Sequence, residues 1–272
     1  MSKEKTSLAP IKIRNKDFFI ADIVDESLKD DMGSMEHPLF SLKVGDRQVK
    51  NYEHNGFKVA IKPGSDGCAT IHDKDVWIFA ASQLVEAMNR GRDDLSPTVR
   101  FTAYDFLVTT NRGIGGKSYE LMRAALQRLS GTRIETNITT GGKRSEGFGL
   151  IESWSVVQKG TDDRAVEIEL TLPMWLFRSI EAKHILTISP DYFRLRKALD
   201  RRLYEIARKH CGRQEYWEIG LELLHKKSGS NSSLREFRRM VKELAEINDL
   251  PDYSVFFDQK KDAVLFALKK IF

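Results

Sequence analysis

Basic side chains gather on one face of a helix that the sequence predicts to begin at Ser233. Ser233 and Glu236 have the spacing of a capping box, in which each side chain accepts a hydrogen bond from the other residue's backbone amide. The basic side chains on this face are Arg235, Arg238, Arg239 and Lys242. Arginine can donate two hydrogen bonds to guanine O6 and N7, and any basic side chain can bind a phosphate. The pattern predicts contact with nucleic acid, and a plain basic surface is the alternative.

Polar residues just before this helix extend the predicted contact. They are Lys226, Lys227, Ser232 and Ser233. The formal net charge of the chain is +5, and the excess of basic residues lies after residue 189. A basic zone in an otherwise balanced chain is typical of a surface that binds phosphates.

A glycine-rich turn at residues 111–116 precedes a second helix of interest, predicted from about Ser118 to Leu129. The end of the turn matches a nucleotide-binding P-loop, but Asn111 stands where that motif needs its first glycine. The better interpretation is the turn of a helix-turn-helix, whose free amides face a DNA phosphate. Gly131 is expected to end the helix in the left-handed conformation. The candidate contacts are Lys117, Ser118, Tyr119, Arg123, Lys143 and Arg144.

Other chemistry finds little support in the residue pattern. The six histidines are scattered and form neither H-x-H nor H-E-x-x-H, so metal-dependent nicking is not indicated. No Gly-x-Ser-x-Gly motif is present, and the acidic pair Asp30-Asp31 is expected to be solvated in a loop. We therefore predict no catalytic residue, no metal and no cofactor.

The order of predicted elements is the same twice along the chain. Each time a helix is followed by a strand, two helices and a β-hairpin, which is the order of a winged helix-turn-helix. The predicted fold class is therefore α+β, with two tandem winged helix-turn-helix domains that carry β-hairpin wings. We place a β-leaning N-terminal extension at 1–65, the first domain at 66–182 and the second at 183–272. One long helix is predicted from Ser189 to about Lys209.

The absence of membrane-span, signal-peptide and disulfide patterns from the sequence indicates the compartment of the protein. Its longest apolar run, at residues 76–81, is far shorter than the roughly 20 residues that a membrane span needs. The first residues have no apolar stretch of signal-peptide length, and two distant cysteines cannot form a disulfide framework. We expect a cytoplasmic protein that does not contact membranes.

Several longer strings resemble the plasmid replication initiator protein A family, over about residues 16 to 272. They are MEHPLFSL at 35–42, YEHNG at 52–56, IHDKD at 71–75, residues 113–138, LYEIARK at 203–209 and residues 224–239. The resemblance implies two winged-helix domains that bind repeated double-stranded DNA sites at an origin and start replication. It implies no enzymatic activity, contacts with the host replication initiator and the replicative helicase, and a homodimer in equilibrium with monomer.

Two alternatives stay open at this point. The first is a transcriptional repressor on the same fold with no role in replication. The second is an origin nickase or NTPase, for which the residue pattern offers least support. The acidic stretch at 17–36 is interpreted as a solvated loop, with a partner contact as the other hypothesis.

Overall fold

The computed structural model describes residues 18–23, 26–138, 146–158 and 166–269. The α-helices are α1 Met32–Glu36, α2 Asp75–Asn89, α3 Ala103–Thr109, α4 Gly116–Gly131, α5 Met174–Glu181, α6 Ala198–His210, α7 Leu221–Ser228 and α8 Leu234–Ile247. The first strands are β1 Phe19–Ile20, β2 Lys29–Asp31, β3 Lys50–His54, β4 Phe57–Lys62, β5 Thr98–Thr102, β6 Arg133–Thr136 and β7 Glu146–Gly149. The later strands are β8 Ser153–Gln158, β9 Val166–Thr171, β10 Ile185–Thr187, β11 Tyr216–Gly220, β12 Tyr253–Asp258 and β13 Ala263–Leu268.

Residues 75–181, from α2 to α5, form the first unit. Its sheet has the order β1-β5-β9-β8, in which β1 comes from the N-terminal segment. The strand before α3 and α4 pairs with the second strand of the later hairpin. The α2 helix is buried nearly all round, as its apolar sequence predicts. The rings of Phe79, Phe101 and Phe106 contact one another in the core, with centroids 5.0 to 6.0 Å apart.

A second hairpin is inserted between α4 and the β8–β9 hairpin. Its strands β6 and β7 extend the N-terminal hairpin β3–β4 into a four-stranded sheet of order β3-β4-β6-β7. The N-terminal hairpin turns at Asn55 and Gly56, which both have positive φ, as the Asn-Gly pair predicts. The strands predicted within residues 1–65 therefore belong partly to a sheet shared with the first unit.

Residues 198–268, from α6 to β13, form the second unit. Its sheet has the order β11-β13-β12, so β11 pairs with β13 in the way that β5 pairs with β9. The α7 and α8 helices lie between β11 and the hairpin in sequence. The second unit therefore has the order of helix, strand, two helices and hairpin, whereas in the first unit a further hairpin, β6–β7, follows the two helices. The whole is a mixed fold of helices and strands. Within the described residues no helix is both long enough and apolar enough to cross a membrane.

The predicted helix from Ser189 to Lys209 is in fact two helices. A 3-10 helix at Pro190–Arg194 is followed by extended backbone at Leu195 and Lys197, and α6 begins only at Ala198. The Arg201 Nε donates to the Leu195 carbonyl at 2.8 Å, so a side chain takes the place of a helical backbone bond. The four-residue spacing of Leu195, Leu199 and Leu203 predicts one unbroken helix and holds no information on this side-chain contact.

Gly131 and Leu121 also differ from prediction. Gly131 lies in the last turn of α4 without a positive φ, and a Cβ added at Gly64 would lie 2.8 Å from its Cα. The close approach of the two backbones therefore requires glycine at position 64, whereas a Cβ at Gly131 would lie 3.4 Å from the Gly64 Cα. The predicted left-handed cap at Gly131 is not formed. Helical periodicity predicts that Leu121 and Met122 share the apolar face of α4, but Leu121 is 54% exposed whereas Met122 is buried.

A buried set of charges joins the segment before the first unit to both units. The Lys74 Nζ lies 2.7 Å from Asp30 and 3.0 Å from Glu205 of α6. The Arg201 guanidinium contacts Asp75 at 2.5 Å, and the other oxygen of Asp75 accepts from Arg112 at 2.7 Å. All of these groups except Arg112 are almost completely buried.

The prediction of a solvated loop at Asp30-Asp31 is therefore wrong. Both residues are buried, and Asp31 caps α1 by accepting from the Ser34 amide at 2.7 Å. Burial raises the pKa of the Asp31 carboxyl, which hydrogen bonds from Ser179 and Ser34 partly offset. Asp30 and Asp31 are thus internal, and Asp30 pairs with Lys74 in the buried set of charges.

Candidate nucleic-acid interface

The α8 helix is well defined by its first turn. The Ser233 Oγ accepts a hydrogen bond from the Glu236 amide at 3.2 Å, as the capping box predicts. The Glu236 carboxylate pairs with Arg239 at 2.8 Å. Phe237, Val241 and Leu244 are buried against the core of the second unit. The helix therefore presents the opposite, basic face outward.

The basic side chains of α8 differ in the contacts that they make with neighbouring side chains. Arg235 is exposed and makes no hydrogen bond or ion pair with any residue that the structure describes. Arg239 is exposed too, but it contacts the carboxylates of Glu236 and Glu243. The Lys242 ammonium lies 5.0 Å from the centre of the Phe257 ring. Phosphates can replace the carboxylates of such exposed ion pairs at little cost in free energy, since each ion pair contributes about 1 kcal/mol or less.

Arg238 is engaged by the hairpin that follows α8. Its Nε and Nη2 donate to the two carboxylate oxygens of Asp262 at 2.9 and 2.8 Å. The Arg238 guanidinium holds the pKa of the Asp262 carboxyl below its ordinary value. Asp262 lies just before β13, so this pair connects the candidate recognition helix to the hairpin.

The two predicted lysines near the end of α7 lie in different environments. Lys226 is exposed, whereas Lys227 is buried and its ammonium pairs with the Glu36 carboxylate. Lys227 therefore stabilises the contact between α7 and the N-terminal segment, and we leave it out of the interface because its charge is already neutralised. Ser232 is half-buried next to Ser230, with their hydroxyls 2.9 Å apart.

The corresponding face of the first unit is less basic. Lys117 and Arg123 on α4 are exposed, Ser118 is half-buried, and Tyr119 packs partly against the core. Two other arginines of this region point inward: Arg112 pairs with Asp75, and Arg128 forms a bidentate pair with Asp73. The surface also exposes large apolar side chains, namely Tyr104, Val108, Ile114 and Leu121. The predicted contacts Lys143 and Arg144 lie outside the described residues.

The hairpin turn of the second unit carries basic residues that the sequence analysis did not single out. Lys260 is exposed at the turn, and Lys261 pairs with Glu218 of β11 at 2.9 Å. This basic turn could have been found in the sequence, because two adjacent lysines lie between strands that were predicted to form a wing. Among the described residues, no group of three or more His, Cys, Asp or Glu side chains could hold a metal ion.

Comparison with known proteins identifies the family. The family model for Replication initiator protein A matches residues 29–255. The chain belongs to this family. It is also 45% identical over 256 residues to a protein of Wigglesworthia glossinidia brevipalpis named "Putative replication protein", and the match covers 93% of each chain.

Solved structures support the fold. Domains 2 and 3 of RctB superpose with a TM-score of 0.63 at 14% sequence identity, covering 88% of this chain and 98% of theirs. A second crystal structure of RctB domains 2-3 gives a TM-score of 0.56 at 15% identity and covers 84% of this chain and 93% of that one. At such low identity the likeness concerns the fold alone.

Proposed function

We propose that this family member starts replication of a plasmid by binding repeated double-stranded DNA sites at its origin. The observation that carries the proposal is α8, whose first turn is capped by Ser233 and whose outward face presents three arginines. A helix about 12 Å across with such a face suits the major groove of DNA. In this proposal α8 reads the site, and α4 adds a weaker second contact through Lys117 and Arg123.

Each unit is proposed to be a winged helix. The support is the equivalent strand order in the two sheets, with two helices between the first strand and the hairpin in both. In such a domain the second helix of the pair enters the major groove, and the hairpin approaches the adjacent backbone. In this proposal Lys260, which is exposed in the second hairpin, contacts a phosphate.

The initiator is proposed to act without catalysis of its own, in the cytoplasm. It would open the origin and recruit the host replication initiator and the replicative helicase, as the family resemblance implies. Exposed apolar side chains on α3 and α4 suit protein contacts, including a homodimer in equilibrium with monomer. Nicking of supercoiled plasmid or turnover of ATP by the purified protein would contradict the non-catalytic part of the proposal.

The first experiment measures binding of the purified chain to origin-repeat duplexes and to scrambled duplexes over a range of salt concentrations. We expect the origin duplex to be favoured by about 10³-fold or more, with affinity that falls steeply as salt rises. Equal affinity for both duplexes would contradict sequence-specific binding. Replication of a plasmid with and without its repeats then separates an initiator from a repressor of transcription.

Arg235→Ala tests whether α8 is the contact. We expect this change to weaken binding to the origin duplex at least about fivefold, because an unpaired arginine in the first turn is available to bases and phosphates. Arg90→Ala is the matched control, since Arg90 is an exposed arginine at the end of α2. Equal losses in both variants would mean that net charge, and not α8, determines affinity.

A further inference from the structure

Asp262 is a carboxylate beside a helix that we propose to bind a polyanion. Its side chain is 44% exposed and that of Arg238 is 35% exposed, so the pair lies at the surface. A carboxylate near DNA repels phosphates, and it therefore weakens binding unless it performs a task there. The geometry of the pair indicates what that task is.

The backbone of Asp262 is held on both sides. Asp262 has a positive φ of 48°, and its carbonyl accepts from the Leu221 amide of α7 at 2.9 Å. Ala263, the next residue, is buried in β13. The carboxylate is thus anchored by the start of α7 and by the sheet, and it is more rigid than a side chain on a free turn.

The contact uses one edge of the Arg238 guanidinium. Arginine carries five N–H donors in a planar fork, and Asp262 accepts one from Nε and one from Nη2. Three donors remain, and two of them lie on the edge formed by Nη1 and Nη2. That edge matches the O6 and N7 acceptors of guanine in the major groove.

The neighbouring arginines lack this arrangement. Arg239 pairs only with glutamates of its own helix, one turn away on either side, and both partners are exposed. Arg235 has no such partner among the described residues. Within α8, Arg238 is the arginine whose plane is oriented by a second structural element.

We propose that Asp262 is a positioning residue that orients Arg238 to recognise one guanine in each origin repeat. The inference rests on the proposed DNA-binding function of α8 and deepens it. Arg238 touches the base, and Asp262 acts through Arg238. A fork that is already oriented loses little conformational freedom on binding, which favours the correct base over the others.

The test uses origin-repeat duplexes in which each base pair is replaced in turn. We expect the wild-type protein to lose about 5- to 150-fold in affinity at one G·C pair that Arg238 reads. Arg238→Ala should bind the original duplex more weakly by a similar factor and no longer distinguish that pair. Arg238→Lys should not restore the preference, because an ammonium lacks the planar fork.

Asp262→Asn should lose preference at the same base pair and at no other. Its binding to scrambled duplexes should stay equal or become tighter, because a negative charge has been removed. A residue that served only to stabilise the fold would instead weaken every duplex alike. Glu218→Gln is the matched control: it removes a carboxylate from the Lys261 ion pair on the same sheet and should leave all preferences unchanged.

Two outcomes would overturn the inference. One is full discrimination at every base pair in Asp262→Asn. The other is an Arg238→Ala variant that weakens all duplexes equally and has a salt slope smaller by about 1, which identifies a phosphate contact. Failure of the proposed function is a separate result, because there the wild-type protein itself would not distinguish origin from scrambled DNA.

Discussion

At the scale of single residues, Asp200 in the first turn of α6 is an unusual carboxylate. It is only 9% exposed, and it accepts no hydrogen bond from any described residue. Burial raises the pKa of Asp200 to about 6, while Lys197 lowers it and Asp249 and Glu243 raise it further. The folded protein therefore binds a proton at this site more tightly than the unfolded chain does.

We expect Asp200→Asn to stabilise the protein at pH 7.5 by roughly 1–3 kcal/mol. An acid with a raised pKa favours the fold when protonated, and that contribution is lost as pH rises through about 6. The gain from the amide should accordingly shrink to near zero at about pH 4. Chemical denaturation at the two pH values measures it. Asp191→Asn, which changes an exposed carboxylate, should show no comparable pH-dependent gain.

At the scale of elements, the turn between α7 and α8 is docked on the N-terminal segment. Gly229 ends α7 with a φ of +69°, and the Tyr52 hydroxyl donates to its carbonyl at 3.4 Å. The Asn231 amide donates to Asp46 at 3.2 Å. These contacts determine where α8 begins relative to the rest of the molecule.

Gly229→Ala should destabilise the protein by more than the roughly 1 kcal/mol that a left-handed alanine costs. A Cβ at Gly229 would lie 2.6 Å from the Pro38 Cβ, so the turn and Pro38 must move apart. Gly212→Ala is the matched control, because its φ is +57° but a Cβ there would meet nothing closer than 3.9 Å. Thermal unfolding that shows equal losses in both variants would rule out the steric effect.

Local signals predicted the elements that depend on nearby residues. Asn55-Gly56 predicted a hairpin turn, and Ser233 with Glu236 predicted the start of α8. The pairing of β4 with β6 brings together residues more than 70 positions apart, and turn and hydrophobic patterns hold no information on it. The inward direction of Lys227 was missed for the same reason, since its partner Glu36 lies far away in sequence.

At the scale of the whole molecule, the two units are joined by buried charges. The Arg201 guanidinium of α6 contacts Asp75 of α2 at 2.5 Å, which joins the second unit to the first. The adjacent Arg202 guanidinium donates to the Met35 carbonyl of α1 at 2.9 Å, to the Lys227 carbonyl at 2.9 Å and to Glu205 at 3.1 Å. Removing one member of such a set leaves its partners buried without hydrogen bonds. The units should therefore unfold together.

We expect a single cooperative unfolding transition, with the same midpoint for signals from both units. Trp77 and Trp175 are buried in the first unit, and Trp217 stacks on His210 in the second. Fluorotryptophan NMR during denaturation should show all of these signals disappearing at one denaturant concentration. Two separate midpoints would show that the buried charges do not couple the units.

Arg202→Ala should lower the free energy of unfolding by about 3–5 kcal/mol, because the Glu205 carboxylate loses a buried partner. Arg194→Ala removes an arginine from an exposed pair with Asp191 and should cost about 1 kcal/mol or less. The comparison is made by denaturant titration at neutral pH. Similar small losses in both variants would contradict the structural role of the buried set.

The Lys74 ammonium lies between the carboxylates of Asp30 and Glu205. This arrangement also limits recombination between genes of this family. A hybrid protein that joins the N-terminal part of one relative to the C-terminal part of another can contain the lysine without its acidic partners, or the acidic residues without the lysine. Recombination between relatives should therefore yield working proteins only when donor and recipient carry the same charges at these positions. If α8 binds the origin repeats as proposed, a change of DNA specificity requires grafting the surface of α8 and leaving the interior of the recipient intact.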